Sequence, residues 1–243
     1  MKTNGDCVLP CFWGIVPGKS LWQDVQSSMG YLDLLVRDYP GKAGVIHATT
    51  FNLEDDLRNS LSFYEQNGVV QVINFSVKDP TRYAPYYELR NIMEHLGAPA
   101  YVAIDLLIGG PGGTPDVAKY YLIIHYGETQ NGPWVKMPWV RLNYGGRALK
   151  IGNRYRFCPT DLHFEAIGYE TPRLTSEGLV LHLQSLESPM TIEELSTAFG
   201  KSYYSMPPDI EKSAGVSVQE FYRKIMESDE PACFDTPINF WPG

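Results

Sequence analysis

Leu61-Ser62-Phe63-Tyr64-Glu65-Gln66-Asn67-Gly68-Val69-Val70-Gln71-Val72-Ile73 is the stretch that decides the fold. Asn67-Gly68 is the dipeptide that most readily supplies a tight hairpin turn, and β-branched and aromatic residues flank it on both sides. The spacing predicts two antiparallel strands. Working outward, a second pair, Tyr101 to Ile108 and Tyr120 to Tyr126, is joined by a Gly/Pro-rich loop. Further strands are expected near Val140–Tyr144, Leu162–Ile167 and Leu179–Leu186.

Four short helices accompany these strands. Ser20 with Gln23 reads as a capping box opening a helix whose apolar side is Leu21, Val25 and Met29, with Trp22 and Leu32 alongside. A second, from about Tyr86 to Leu96, places Leu89, Ile92, Met93 and Leu96 on one face and stops at Gly97, with Pro99 just beyond. A third opens on the Thr191/Glu194 box and buries Ile192, Leu195 and Phe199 before Gly200. A fourth opens on Ser217/Glu220, with Val216 and Phe221 as a hydrophobic staple and Val218, Phe221, Tyr222 and Ile225 on one face. The expected fold is therefore α+β: an antiparallel sheet with short helices packed on one face. The order of elements points to two or three repeated helix-then-hairpin units, although no residue repeat is present. The division falls near Asp79-Pro80, giving a helix-plus-hairpin unit at 1–79 and a helix-plus-sheet unit with C-terminal helices at 80–243. One continuous domain is the alternative.

Composition narrows the function classes. An apolar fraction of 44% supplies ample core, and the net charge of −8 with few clustered cations argues against nucleic acid as a partner. No stretch approaches the roughly 18 apolar residues of a membrane span, and Met1 to Asp6 is polar where a signal segment would be apolar. The four cysteines, Cys7, Cys11, Cys158 and Cys233, lie in turn-rich sequence without a Cys-x-x-Cys pair, which favours disulfides over zinc. Of the three possible pairings we prefer Cys7–Cys11 with Cys158–Cys233, the first pair being close enough to meet locally. The longer link closes a loop of about 76 residues, worth roughly 4 kcal/mol in the chain-entropy model against roughly 2 for the short ring. Four reduced thiols in a cytosolic protein are the alternative.

The chemistry-bearing residues are sparse. Gly109-Gly110-Pro111-Gly112-Gly113 lacks the Lys and Ser/Thr of a nucleotide loop and reads as a strand connection. No Gly-x-Ser-x-Gly occurs, and His47, His95, His125, His163 and His182 show no metal-ligand spacing, so neither cofactor nor metal is expected. Asp105 and His125 each interrupt an apolar strand; in even register they would share a face and form a partly buried pair, with packing alone as the plainer account. Trp134, Met137 and Trp139 sit in a proline-interrupted segment and would form a hot spot for a protein or sugar partner, or else a lid on the core. Trp13 and Trp241 read as core plugs.

The stretch Cys7-Val8-Leu9-Pro10-Cys11-Phe12-Trp13-Gly14-Ile15-Val16-Pro17-Gly18, with Gly215 to Tyr222 and Cys233 to Pro242, resembles a group of uncharacterised bacterial envelope lipoproteins. The resemblance implies export and disulfides and brings no activity or catalytic residues. At the level of fold, Ile15-Val16-Pro17-Gly18 and Leu96-Gly97-Ala98-Pro99 are similar to the two ends of a motif in the small lipoprotein of the outer-membrane β-barrel assembly machine and in β-lactamase inhibitor protein. Here those ends lie on different helices. Together these readings lead to a non-catalytic extracytoplasmic protein, tethered or secreted, that binds or scaffolds a protein of the cell envelope, membrane complexes included. A lipid anchor on the precursor fits the same reading. A carbohydrate or small-ligand binding module is the second class, and a hydrolase with an unrecognised site the third.

Overall fold

The computed structural model describes residues 4–31, 34–40, 44–52, 58–78, 84–108, 116–127, 140–160, 178–186, 190–191, 194 and 207–241. The chain opens with helix α1 (Trp22–Tyr31) and strands β1 (Arg37–Pro40), β2 (Val45–Asn52), β3 (Arg58–Gln66) and β4 (Val69–Lys78). Helix α2 (Leu89–Leu96) leads into β5 (Tyr101–Leu107), β6 (Val117–Tyr126), β7 (Val140–Ile151), β8 (Arg154–Phe157) and β9 (Gly178–Gln184). Two more helices, α3 (Ile210–Ala214) and α4 (Val218–Glu227), precede a last strand, β10 (Phe234–Pro237).

Asn67 and Gly68 take φ of 55° and 80°, the positive values a two-residue hairpin turn demands, and connect β3 to β4 as the sequence predicts. From this hairpin grows one antiparallel sheet in the order β1-β2-β3-β4-β9-β7-β6-β5. β9 is its keystone, pairing with β4 on one edge and with Val140 to Tyr144 of β7 on the other. β7 is long enough to hold β8 further along that second edge, through Leu149 to Ile151, and β8 in turn carries β10. Residues on either side of the Asp79-Pro80 division thus contribute to one sheet; Asp79 and Pro80 themselves lie outside the described residues.

Because side chains alternate along a strand, the sheet has two chemically different faces. One carries Phe63, Phe75, Leu122, Leu142 and Leu181, which pack with Val25 and Met29 of α1, Leu89, Ile92 and Met93 of α2, and Phe221 and Ile225 of α4. Full burial of each such side chain contributes about 1.5–3 kcal/mol before the entropy of ordering is subtracted. Asn4, 1% exposed, ties the N-terminal loop to this core. Its Nδ2 donates to the carbonyls of Cys7 (2.8 Å) and Cys11 (2.6 Å), while its Oδ1 accepts from the Tyr87 hydroxyl (2.7 Å) and the Trp13 amide (3.2 Å). The Tyr144 hydroxyl then donates to the Tyr87 carbonyl at 2.8 Å, joining the loop to β7.

Several local readings change. Ser20 does not cap through Gln23; its hydroxyl accepts from the Val16 amide at 2.9 Å. The cause is tertiary: the Val70 amide donates to the Ser20 carbonyl and the Trp22 amide to that of Gly68, so residues 20–22 run along the hairpin and the helix begins only at Trp22. Leu21, expected on the buried side, is 50% exposed. Trp13 is not a core plug, being 45% exposed, whereas Trp241 is 7% exposed and donates from its indole to Thr236 Oγ1 at 2.9 Å. The second helix is divided into a 3-10 turn at Pro85–Tyr87 and α2 proper, which ends at Gly97 with φ of 76°. Thr191 and Glu194 form the expected reciprocal box, Thr191 N–H to Glu194 Oε2 at 2.6 Å and Glu194 N–H to Thr191 Oγ1 at 3.2 Å. Ile192, Leu195 and Phe199, the Leu162–Ile167 strand and the Gly109–Gly113 loop lie outside the described residues.

The bonded cysteine pairs are Cys7–Cys11 and Cys158–Cys233. The second closes immediately beyond the Phe157↔Phe234 pair of β8 and β10, and so clasps the C-terminus to the sheet. Replacing Cys158 and Cys233 by Ala should lower unfolding free energy by roughly 4 kcal/mol, and replacing Cys7 and Cys11 by roughly 2, as read from urea denaturation.

Candidate functional site

The second face of the sheet is polar at its centre. Register places His125 of β6 opposite Arg141 of β7, Arg141 opposite His182 of β9, and His182 opposite Asn74 of β4. These four side chains form one row across consecutive strands, each within contact distance of the next. Their relative exposures are 0%, 5%, 3% and 5%. Polar groups that deep cost free energy unless they are satisfied.

Part of the satisfaction is internal. His182 Nδ1 lies 2.7 Å from Asn74 Oδ1; as an amide oxygen only accepts, Nδ1 carries the proton and Nε2 presents a lone pair. Arg141 Nε donates to Asn143 Oδ1 at 3.2 Å, from the next position on the same face. His125 and the Asn74 amide nitrogen are less well served. Among the described residues, neither ring nitrogen of His125 nor Asn74 Nδ2 has a hydrogen-bond partner. At the row's end the Tyr101 ring lies 5.5 Å from that of His125, and its hydroxyl donates to the Pro207 carbonyl at 3.3 Å.

Electrostatics keeps both imidazoles neutral. Burial, reinforced by the Arg141 guanidinium and then by His182, drives the His125 pKa well below the usual value. Burial and then Arg141 push His182 down to about 3. Among these four side chains Arg141 is therefore the one permanent charge, flanked by two neutral rings that can each donate or accept.

Asp105 and His125, expected as a pair, are on the same face but are not brought together. Asp105 is opposite Tyr121 and His125 opposite Tyr101, a separation of four residues along the strands, about 14 Å at the usual rise. The Asp105 carboxyl is pushed up by burial, opposed by the Leu106 amide. Trp134, Met137 and Trp139 lie outside the described residues, as does His163. His95 Nδ1 is 2.6 Å from the Asn91 carbonyl of its own helix. His47 stacks on Trp22 at 3.6 Å, on the apolar side of the sheet, with Asp38 Oδ1 2.7 Å from its Nδ1. Among the described residues no three His, Cys, Asp or Glu side chains gather as metal ligands.

Arg141, His182 and Asn74 were not singled out from sequence. Each does interrupt an apolar strand, in Val140-Arg141-Leu142, Leu181-His182-Leu183 and Ile73-Asn74-Phe75, just as His125 does. That shared signal was available; what joins them is a register that only the folded sheet reveals. A cavity of about 240 Å³ lies elsewhere, between Glu88, Leu89 and Arg90 at the start of α2 and Asp229 to Pro231. Arg90 there donates to the Ile225 and Ser228 carbonyls at the end of α4. Comparison with protein-family models, with curated proteins and with solved structures returns no match.

Stability should carry the signature of the row. Both imidazoles titrate lower in the native protein than the ~6.5 of an unfolded chain, so the unfolded chain binds more protons between those limits. The contribution of His182 is complete above about pH 6.5 and is lost on acidification toward about 3, by roughly 1 kcal/mol per pH unit, and that of His125 is lost in the same direction. Urea denaturation from pH 7 to 4 should show His182→Gln with a shallower pH slope than the parent by that amount.

Proposed function

We propose that this is a non-catalytic binding protein of an oxidising, extracytoplasmic compartment, and that the row His125–Arg141–His182–Asn74 takes the carboxylate of a small molecule. The two disulfides support the compartment, because such links persist where thiols are not kept reduced. The resemblance of both chain ends to envelope lipoproteins agrees with it and favours the cell envelope.

One observation carries the ligand reading: beside the Arg141 guanidinium, the His125 ring and Asn74 Nδ2 are buried and have no hydrogen-bond partner among the described residues. Native proteins satisfy the large majority of such side-chain groups, and each exception calls for a reason. A carboxylate accepts through both oxygens, which suits the guanidinium of Arg141, Asn74 Nδ2 and the N–H of His125. The neutrality of the imidazoles leaves a charge suited to a monoanion. It also speaks against catalysis, since an imidazole whose pKa is held far below neutrality is a weak proton acceptor at pH 7. No nucleophile belongs to the row, and Asp105 is out of reach of His125.

Isothermal titration of the full chain with acetate and with succinate tests the proposal. Saturable binding and a rise in melting temperature are expected. Arg141→Gln should weaken binding about tenfold or more, the loss of a charge-assisted bond, whereas Arg223→Gln on the exposed side of α4 should leave it unchanged. Folded protein that shows no saturable response to either anion removes the ligand assignment.

A further inference from the structure

The N-terminal loop is held in place independently of its sulfur link. Asn4 Nδ2 bonds the carbonyls of Cys7 and Cys11, and the Leu9, Phe12 and Ile15 side chains are buried in the core. The backbone of both cysteines is thus fixed by contacts that do not involve sulfur. The Cys7–Cys11 link closes a short ring and adds less to stability than Cys158–Cys233. Its sulfurs can part and meet again without the loop leaving the core.

The surroundings of the two sulfurs are unequal. Phe12 and Ile15 exchange backbone bonds of 2.9 Å, and between them Trp13 and Gly14 make a turn with φ of 53° and 81°. A positive φ is strained for a bulky residue such as Trp13, and strained backbone gathers at functional sites. Here the turn points the Gly14 amide at Cys7 Sγ, 3.3 Å away, while the Asn4 carbonyl oxygen lies 3.1 Å from the same sulfur. Cys7 Sγ therefore has an acceptor for a thiol proton and a donor for a thiolate. Among the described residues no hydrogen bond reaches Cys11 Sγ. The same turn leaves Trp13 45% exposed, and Val8, between the two half-buried cysteines, is 58% exposed.

We infer that Cys7–Cys11 is an exchangeable disulfide that oxidises a dithiol of another protein, with Val8 and Trp13 receiving the apolar residues beside that dithiol. A thiolate of the partner attacks Cys11 Sγ; the Cys7–Cys11 bond breaks, and Cys7 leaves as a thiolate that accepts from the Gly14 amide. The partner's second thiolate then attacks the partner sulfur of the mixed disulfide and expels the Cys11 thiolate. The partner gains one disulfide and gives up two electrons and two protons; Cys7 and Cys11 take up the electrons and, as thiols, the protons. The Cys158–Cys233 link lacks these features. Among the described residues no amide is bonded to its sulfurs, and it joins two paired strands just beyond the stacked Phe157 and Phe234 rings. The exchange uses no residue of the anion row, so either can fail without the other.

The test is to treat the native full chain with reduced glutathione, quench with iodoacetamide and map the sulfurs by mass spectrometry. A second series replaces glutathione by a reduced synthetic peptide carrying two cysteines flanked by leucines. Cys7–Cys11 should open at least about tenfold faster than Cys158–Cys233, with glutathione attached to Cys11 and circular dichroism unchanged. Trp13→Gly, which relieves the turn and removes the ring, should slow the peptide reaction about fivefold or more and leave the glutathione reaction unmoved. The mapping on the parent chain needs no variant and decides the attacked sulfur by itself. No opening of Cys7–Cys11, prior opening of Cys158–Cys233, an adduct on Cys7, loss of fold when Cys7–Cys11 is reduced, or a peptide reaction unmoved in folded Trp13→Gly overturns the inference.

Discussion

Strand β9 is the constraint on which the architecture rests. It arrives from about a hundred residues downstream to fill the slot between β4 and β7, and its hydrogen bonds on both edges convert two separate groups of strands into one sheet. Its register is fixed by chemistry as well as geometry. With side chains alternating, a slip of one residue would turn Leu179, Leu181 and Leu183 out of the core and drive His182 and Gln184 into it. Leucines on one side and polar groups on the other thus specify the same alignment from both faces.

That double specification comes at a cost located in the polar row. Four buried polar side chains on adjacent strands hold a guanidinium against two uncharged rings, and among the described residues the His125 ring and Asn74 Nδ2 have no hydrogen-bond partner. A core of aliphatic residues at those positions would be as stable or more so, because incompletely satisfied polar networks are costly in a low dielectric. The cost is offset by the large apolar cluster on the opposite face.

Features set by neighbours in sequence were legible; those set by distant partners were not. Asn67-Gly68, the Ser217 cap of α4, the Gly97 stop of α2 and the Cys7–Cys11 link follow from local geometry and all are present, and with the local link assigned Cys158 and Cys233 are left to pair. β1, β2, β8 and β10 escaped, three of the four being only four residues long, too short to show an alternating pattern. α3 escaped too, although Asp209 caps it and Gly215 ends it, because five residues show no apolar period. Ser20 misled because a hydroxyl that can cap forward found a better partner behind it, once the hairpin had drawn residues 20–22 into an extended path. The polar row was hidden for the deepest reason: its members are scattered from residue 74 to 182 and are collected only by pairing.

The clamp made by Asn4 has a consequence for the protein's ageing. Asn4 is followed by Gly5, the neighbour least able to shield an asparagine from attack by the next backbone nitrogen. Spontaneous deamidation would replace the nitrogen that bonds the Cys7 and Cys11 carbonyls with an anionic oxygen facing both of them, and the N-terminal loop would be repelled where it had been held. Burial keeps water and the needed backbone motion from that amide while the fold is intact. Native structure therefore preserves the residue that preserves it, and any molecule that lingers unfolded starts a chemical clock it cannot reset.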